Sequence, residues 1–332
     1  MGMSSKQPKT LQDAITYFAD PKNAFEFVVE MRWPDGVSCP SCGSKDYSFL
    51  STRQMWKCKA CKKHYSVRVG TIFEDSPIAL SKWLMAVWML VNCKNGVSSY
   101  ELHRAIGVTQ KTAWFMLHRI RAGIKAKSFD KKLAGIVETD ETFIGGLLKN
   151  MHQSRREQVT SAEVETRIKQ GRRRGKRNSV RTGAGPMMGK TIVQAVLERD
   201  GEVRAHILDR LHSIDMWDFI KANVEKGSQM MSDQGASQMN PYFVHEFVNH
   251  QREYVRGHIH TQGVENFWSL LKRALRGTYV SVEPYHLSAY VDEQCFRFNG
   301  RKKTDGERFT RAMSMLKGTR LTYDKLIRAE QA

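Results

Sequence analysis

Four cysteines, Cys39, Cys42, Cys58 and Cys61, constrain what this chain can fold into more than any other feature. Two Cys-x2-Cys knuckles at this separation offer four thiolates, a donor set that suits a structural Zn²⁺ with no open coordination position. A redox pair or unligated thiols would be the alternative, and the double-knuckle spacing favours metal over both. Gly43 after the first knuckle and the lysines around the second fit a zinc ribbon. A ribbon of about 35 residues cannot stabilise itself without the ion, so zinc is expected to be a folding requirement. The remaining cysteines, Cys93 and Cys295, stand alone and read as buried small hydrophobes.

The charge balance points to the partner. The chain of 332 residues carries a formal net charge of +19, which implies a polyanion. Nucleic acid leads, because a basic surface releases counterions from a phosphate backbone; an anionic membrane surface is the competitor. No apolar run is long enough to span a bilayer, and "MGMSSKQPKTLQ" lacks the core of a signal peptide. The expectation is a cytoplasmic, nucleoid-associated protein with no membrane partner. Residues 151–190 hold eleven Lys or Arg against three acidic residues and no Phe, Trp or Tyr, and read as a basic loop. Within it Arg172, Arg173, Arg174, Lys176 and Arg177 are the candidates to track DNA backbone, with a solvated insert as the alternative.

Periodicity gives a coarse layout. Helical spacing over residues 10–35 breaks at Asp20-Pro21, and 79–94 form a strongly apolar helix. In "SSYELHRAIGVTQKTAWFMLHRIR" a short helix from Ser99, a turn at Ile106-Gly107-Val108 and a second helix capped by Thr109 make a helix-turn-helix pattern. Gln110, Lys111 and Thr112 would lie in the first turn of the second helix, where side chains meet base edges, while Ala113, Leu117 and Ile120 pack inward. An ordinary helical hairpin is the plainer reading. Further on come a strand in "GIVETDETFIGG", a hairpin turning at Arg199-Asp200-Gly201-Glu202, a helix at 213–226 and a short buried strand in "SQMMSD". A helix around "PYFVHEFVNH", a strand "REYVRG" and a helix beginning near Gly263 complete a mixed α/β sheet.

Three carboxylates recur where this layout brings ligands together. On a strand Glu138 and Asp140 share one face and Glu141 takes the other. Asp233 closes the buried "QMMSD", and carboxyl ends of strands are where α/β sheets hold ligands. In "HTQGVENFWSLLKRALRG" the stripe Val264, Phe267, Trp268 and Leu271 is core, leaving Glu265, Ser269 and Lys272 on another face. Two Mg²⁺ ions about 4 Å apart on Asp140, Asp233 and Glu265 would suit in-line phosphoryl transfer, with Lys272 meeting a phosphate. Taken singly, each carboxylate would more often be a solvated charge.

Taken in order, "RWPDGVSCPSCG", "VGTIFEDS", "KTAWFMLHRIR", "VETDETFIGG", "SDQGA", "HTQGVENFWSLLKRALRGTY" and "HLSAYVDEQCFRFN" resemble the IS1595-type insertion-sequence transposases, the ISXO2-like group related to the Merlin elements. The resemblance implies an N-terminal segment 1–76 with a zinc ribbon, a helix-turn-helix region 77–127, and a ribonuclease-H-like catalytic domain 128–332. It implies a DDE-type site of Asp140, Asp233 and Glu265, with Lys272 as an accessory position and Mg²⁺ or Mn²⁺ as cofactor. Glu265 is preferred to its neighbour Asn266 because a carboxylate is the better ligand for a hard cation. His260 matches the family's histidine before this helix and is expected to contact DNA or the scissile phosphate. The implied partners are double-stranded DNA, as terminal inverted repeats and as target, and further copies of the chain, since two ends must be held together. The competing functions are a zinc-ribbon regulator that has lost activity, against which the intact carboxylate set argues, and a ribonuclease-H-like nuclease.

Overall fold

The computed structural model describes residues 8–125, 131–146, 150–154, 156–157, 189–209, 213–233, 242–247 and 260–328. The chain divides into two compact units, Met1–Lys131 with Ser269–Ala332, and Lys132–Trp268.

In the first unit, helix α1 (Leu11–Ala19) starts at Thr10, whose hydroxyl and the Asp13 carboxylate satisfy each other's backbone N–H groups in a capping box. Asp20 then caps α2 (Pro21–Arg32), where Pro21 takes the first helical position, whose N–H would have no acceptor within the helix. Strands β1 (Tyr47–Leu50), β2 (Met55–Cys58) and β3 (His64–Ser66) form a small antiparallel sheet. Its core is aromatic: Trp56 stacks between Phe25 of α2 and Tyr65 of β3, with ring centroids 5.7 and 5.9 Å away. The apolar α3 (Leu80–Asn92) buries Trp83, Leu84, Val87, Trp88 and Leu90. It is followed by α4 (Ser99–Ile106) and α5 (Gln110–Lys125). Between them Gly107 adopts φ +62°, the left-handed conformation that ends α4 and turns the chain.

The second unit is built on a five-stranded mixed sheet of β4 (Ile136–Ile144), β5 (Thr191–Glu198), β6 (Val203–Leu208), β7 (Gln229–Ser232) and β8 (Val244–Phe247), in the order β6-β5-β4-β7-β8. β4, β7 and β8 run parallel, and the β5–β6 hairpin adds antiparallel to the other edge of β4. Helix α6 (Ser213–Asn223) packs Ile220 on Val137, Val196 and Met230, with Val224, just past its end, in the same cluster on one face of the sheet. Helix α7 (Gln262–Arg273) starts against the opposite face, where it meets Glu138 and Asp140. The helix expected around "PYFVHEFVNH" is a strand over Val244–Phe247. Its aromatic and aliphatic residues do recur at helical spacing, but hydrogen bonding to β7 overrides that local pattern. The strand expected in "REYVRG" lies outside the described residues.

Beyond α7 a π-helical turn, Ala274–Tyr279, leads to α8 (Leu287–Asn299), α9 (Asp305–Met315) and α10 (Tyr323–Arg328). These belong to the first unit, where Phe309, Ala312 and Leu316 join the core made by α1, α2, α3 and α5. A buried ion pair ties α5 to α8: Arg121 Nε donates to Glu293 Oε2 at 2.6 Å, with both side chains 1% exposed. No helix among the described residues is long and apolar enough to cross a membrane.

Candidate functional site

The carboxylate site follows from strand register. Glu138 of β4 pairs with Met231 of β7, so continuing both parallel strands by two residues brings Asp233 beside Asp140, just past the end of β7. The third carboxylate, Glu265, stands exposed in the first turn of α7, whose buried stripe of Val264, Phe267, Trp268 and Leu271 is the one expected from the spacing. Asp140 is held from two sides: Oδ1 accepts the Glu141 backbone N–H at 2.8 Å and Oδ2 accepts the Trp268 Nε1–H at 2.9 Å. Trp268 is therefore core and a hydrogen-bond donor to the site at once.

Like-charge repulsion couples the group. Burial, then the charge of Asp233, push the Asp140 carboxyl up to about 6; Glu265 adds to the rise, while the two N–H donors oppose it. Glu141 pairs with Gln194 on β5 and points to the other face of the sheet, as alternation requires. It is nevertheless pushed up to about 8, by burial first and then by Asp140 and Asp233, so it feels the same negative field. Carboxylates gathered so that two of them raise the Asp140 pKa suit a hard divalent cation. The carboxylates stand further apart than the cysteines, which among the described residues are the one group of three or more candidate ligand atoms lying within 4.8 Å of one another.

Glu138 takes no part in that group and is 1% exposed beneath α7. Its Oε1 accepts from Arg199 Nε and Nη2 at 3.2 and 3.1 Å, and its Oε2 accepts the Val264 backbone N–H at 3.0 Å. His260, expected at the DNA, has Nδ1 3.6 Å from Glu138 Oε1 and 3.3 Å from Arg199 Nη2. Arg199 was not singled out from sequence beyond its place in the hairpin turn; only the tertiary structure reveals its partners, 61 residues away. Lys272 lies in the last turn of α7, two turns on from Glu265.

At the other site, Cys39, Cys42, Cys58 and Cys61 converge, with sulfurs 3.7 Å apart for Cys39–Cys61 and 3.6 Å for Cys42–Cys58. Each knuckle turns on a residue with positive φ, Gly43 at +75° and Lys62 at +62°. The Cys61 backbone N–H points at the Cys58 sulfur and, as the largest influence, helps hold that thiol down to about 6, while Cys42 is pushed up to about 11 in the same cluster. Four sulfurs within one ion's reach fit Zn²⁺.

The first turn of α5 is partly committed. Gln110 Nε2 donates to Ser99 Oγ at 2.8 Å, and Thr112 Oγ1 is 2.8 Å from Thr109 Oγ1, which caps the helix. Lys111 is exposed, with its ammonium 5.2 Å from the centre of the Tyr323 ring. Ala113, Leu117 and Ile120 are buried. Arg172, Arg173, Arg174, Lys176 and Arg177 lie outside the described residues.

A four-cysteine ribbon followed by a carboxylate-bearing mixed sheet, in a strongly basic chain, is a combination suited to a polyanionic partner. Comparison with known families makes this specific. Residues 132–299 match the ISXO2-like transposase domain and residues 20–64 match the transposase zinc-ribbon domain. The chain belongs to the IS1595 family of transposases, with an N-terminal zinc ribbon. It is also 26% identical over 302 residues to an uncharacterized protein in transposable element ISH50 of Halobacterium salinarum, covering 87% of this chain and 96% of that one. No solved structure matches the chain.

Proposed function

We propose that this transposase binds the terminal inverted repeats of its element, cleaves the phosphodiester at the element end, and joins the freed 3′-hydroxyl to target DNA. The observation that carries the reading is the meeting of Asp140 and Asp233 at neighbouring parallel strands, with Trp268 of the Glu265-bearing helix bonded to Asp140. The strand order, with a parallel β4-β7-β8 half and an antiparallel β5–β6 hairpin, supports a ribonuclease-H-like catalytic fold. The α4–turn–α5 pair supports a helix-turn-helix that offers Lys111 to DNA, with Gln110 and Thr112 beside it.

Asp140, Asp233 and Glu265 would hold Mg²⁺ or Mn²⁺, which when bound supplies charge stabilisation to the attacking and leaving oxygens. The chain's own contribution is positional. β4 and β7 bring two carboxylates side by side, and the Trp268 and Glu141 N–H groups fix the orientation of the Asp140 carboxylate. In cleavage, water forms the new P–O bond and the 3′-oxygen departs with the bonding pair; in joining, that 3′-hydroxyl attacks a target phosphate and displaces another 3′-oxygen. Lys272 is assigned to a DNA phosphate, and the basic segment 151–190 to backbone neutralisation. Holding two ends at once calls for a dimer or larger assembly of chains on DNA.

The test is a strand-joining assay with the purified full chain, the DNA ends of its own element and a supercoiled target. Joined product that is lost in Asp140→Asn, with end binding retained, supports the proposal. Joining unimpaired in Asp140→Asn sinks it.

A further inference from the structure

We infer that Glu138 is a positioning residue for the reaction: together with Arg199 it pins the start of α7 to β4 and so sets the height of Glu265 relative to Asp140. This rests on the reading of those carboxylates given under Proposed function, and extends it to a residue that touches neither cation nor DNA.

The geometry is specific on both sides of the joint. Glu138 lies two residues before Asp140 on the same face of β4, and Val264, whose N–H it accepts at 3.0 Å, immediately precedes Glu265. One carboxylate thus ties down the backbone beside each of two catalytic residues. A carboxylate that is 1% exposed persists only if it is paired and hydrogen-bonded, and here both oxygens are used, one by Arg199 and one by the N-terminus of α7. Arg199 is itself anchored: its backbone N–H donates to Ile136 O at 2.9 Å and its Nη2 to His260 O at 3.1 Å.

Glycine at 263 is explained by the same joint. A Cβ there would lie 2.7 Å from Glu138 Oε2 and 3.0 Å from Leu197 Cδ2, so a larger residue must displace the Glu138 carboxylate or the helix that it holds. Like charges on Asp140, Asp233 and Glu265 push α7 away from the sheet when no cation lies among them. The clamp opposes that repulsion, which is why it sits beside the site and not at the far end of the helix. His260, with Nδ1 3.3 Å from Arg199 Nη2, packs against the guanidinium as part of this joint.

The experiment titrates Mn²⁺ calorimetrically into the full chain bound to element-end DNA, for wild type, Glu138→Ala, Glu138→Gln, Gly263→Ala and Asp140→Asn. Cleavage is followed against Mn²⁺ concentration in parallel. Glu138→Ala and Gly263→Ala should weaken Mn²⁺ binding by about tenfold or more, as loss of the groups that orient metal ligands does, and raise the half-saturating Mn²⁺ for cleavage by the same factor. Affinity for end DNA should not change. Glu138→Gln keeps an acceptor for the Val264 N–H but not the charge that pairs with Arg199, and should recover only part of the loss. Should Glu138→Ala not fold, Gly263→Ala keeps both charged residues in the chain and tests the same joint by crowding the Glu138 carboxylate. Mn²⁺ affinity within twofold of wild type in the folded variants, with binding abolished in Asp140→Asn, would overturn the inference alone. Full Mn²⁺ binding and cleavage in Asp140→Asn would instead overturn the assignment of the carboxylates on which it rests.

Discussion

Replacing Asp140 by Asn should flatten the pH dependence of stability in the second unit when no Mg²⁺ is present. In the folded chain the Asp140 carboxyl titrates at about 6, against an ordinary 3.8, because it is buried and faces Asp233. The folded state therefore holds its proton over a range where the unfolded chain has lost it, and stability falls as pH rises. The contribution is complete below pH 3.8 and is lost as pH passes 6. The total is about 3 kcal/mol by linkage, with roughly half of it lost above pH 5. Glu141, raised to about 8, extends the decline to higher pH. Asp140→Asn removes the first share and, by deleting a charge that raises Glu141, trims the second. The amide must also present N–H₂ to one of two donors, the Glu141 N–H or the Trp268 Nε1–H. That costs about 1 kcal/mol at every pH, so it shifts the curve without tilting it. The assay is hydrogen exchange of β4 and β5 amides in zinc-loaded protein between pH 5 and 8, corrected for intrinsic exchange rates. The variant should lose at least about 1 kcal/mol less protection than wild type over that range. Millimolar Mg²⁺ should restore protection at pH 8 to wild type and not to the variant. Parallel profiles for the two proteins would refute the argument that Asp140 is the buried group carrying this charge.

Removing zinc should unfold the ribbon: metal analysis should find one Zn²⁺ per chain, and chelation should abolish the near-ultraviolet dichroism of the stacked Trp56, Phe25 and Tyr65. Metal-free protein that keeps this signal would contradict a structural role for the ion. Glu293→Gln should destabilise the first unit by about 3–5 kcal/mol in urea unfolding, because Arg121 and Arg297 would both be left buried without their shared counter-charge. A loss below about 1 kcal/mol would mean that the pair is solvated. Val280 occupies φ +60° and ψ −56° with 78% of its surface exposed, in a turn closed by the Ser281 N–H on Tyr279 O. Val280→Gly should relieve this strain and stabilise the chain by about 1 kcal/mol, a rise of roughly 2–4 °C in melting temperature; a fall would show that the valine is not strained there.

What could be read in advance was whatever local chemistry or short-range periodicity dictates. Two Cys-x2-Cys knuckles announce their metal because four thiolates have few other uses, and alternation along "VETDETF" separates Glu141 from Glu138 and Asp140 before any fold is known. The stripe on α7 was legible for the same reason, since the helical period sorts Val264, Phe267, Trp268 and Leu271 from Glu265. Residues whose state depends on a distant neighbour were not. Phe243, Val244 and Phe247 fit a helix by spacing, and only the edge of β7 makes Val244–Phe247 a strand. Arg199 looked like a turn residue because its partner lies on another strand, and Trp268 showed its apolar face in the sequence but not its N–H. The return of α8 and α9 to the core of the first unit depends on contacts such as Arg121 with Glu293, 172 residues apart, which no window of sequence contains.

The central claim is that Asp140, Asp233 and Glu265 together hold the divalent cations that act on the DNA end. Its most direct test is an anomalous diffraction map from crystals of the full chain with its element-end DNA and Mn²⁺. Peaks bounded by these three carboxylates and the end phosphate are predicted. Mn²⁺ bound elsewhere, with Asp140, Asp233 and Glu265 all far from any ion, would contradict the account.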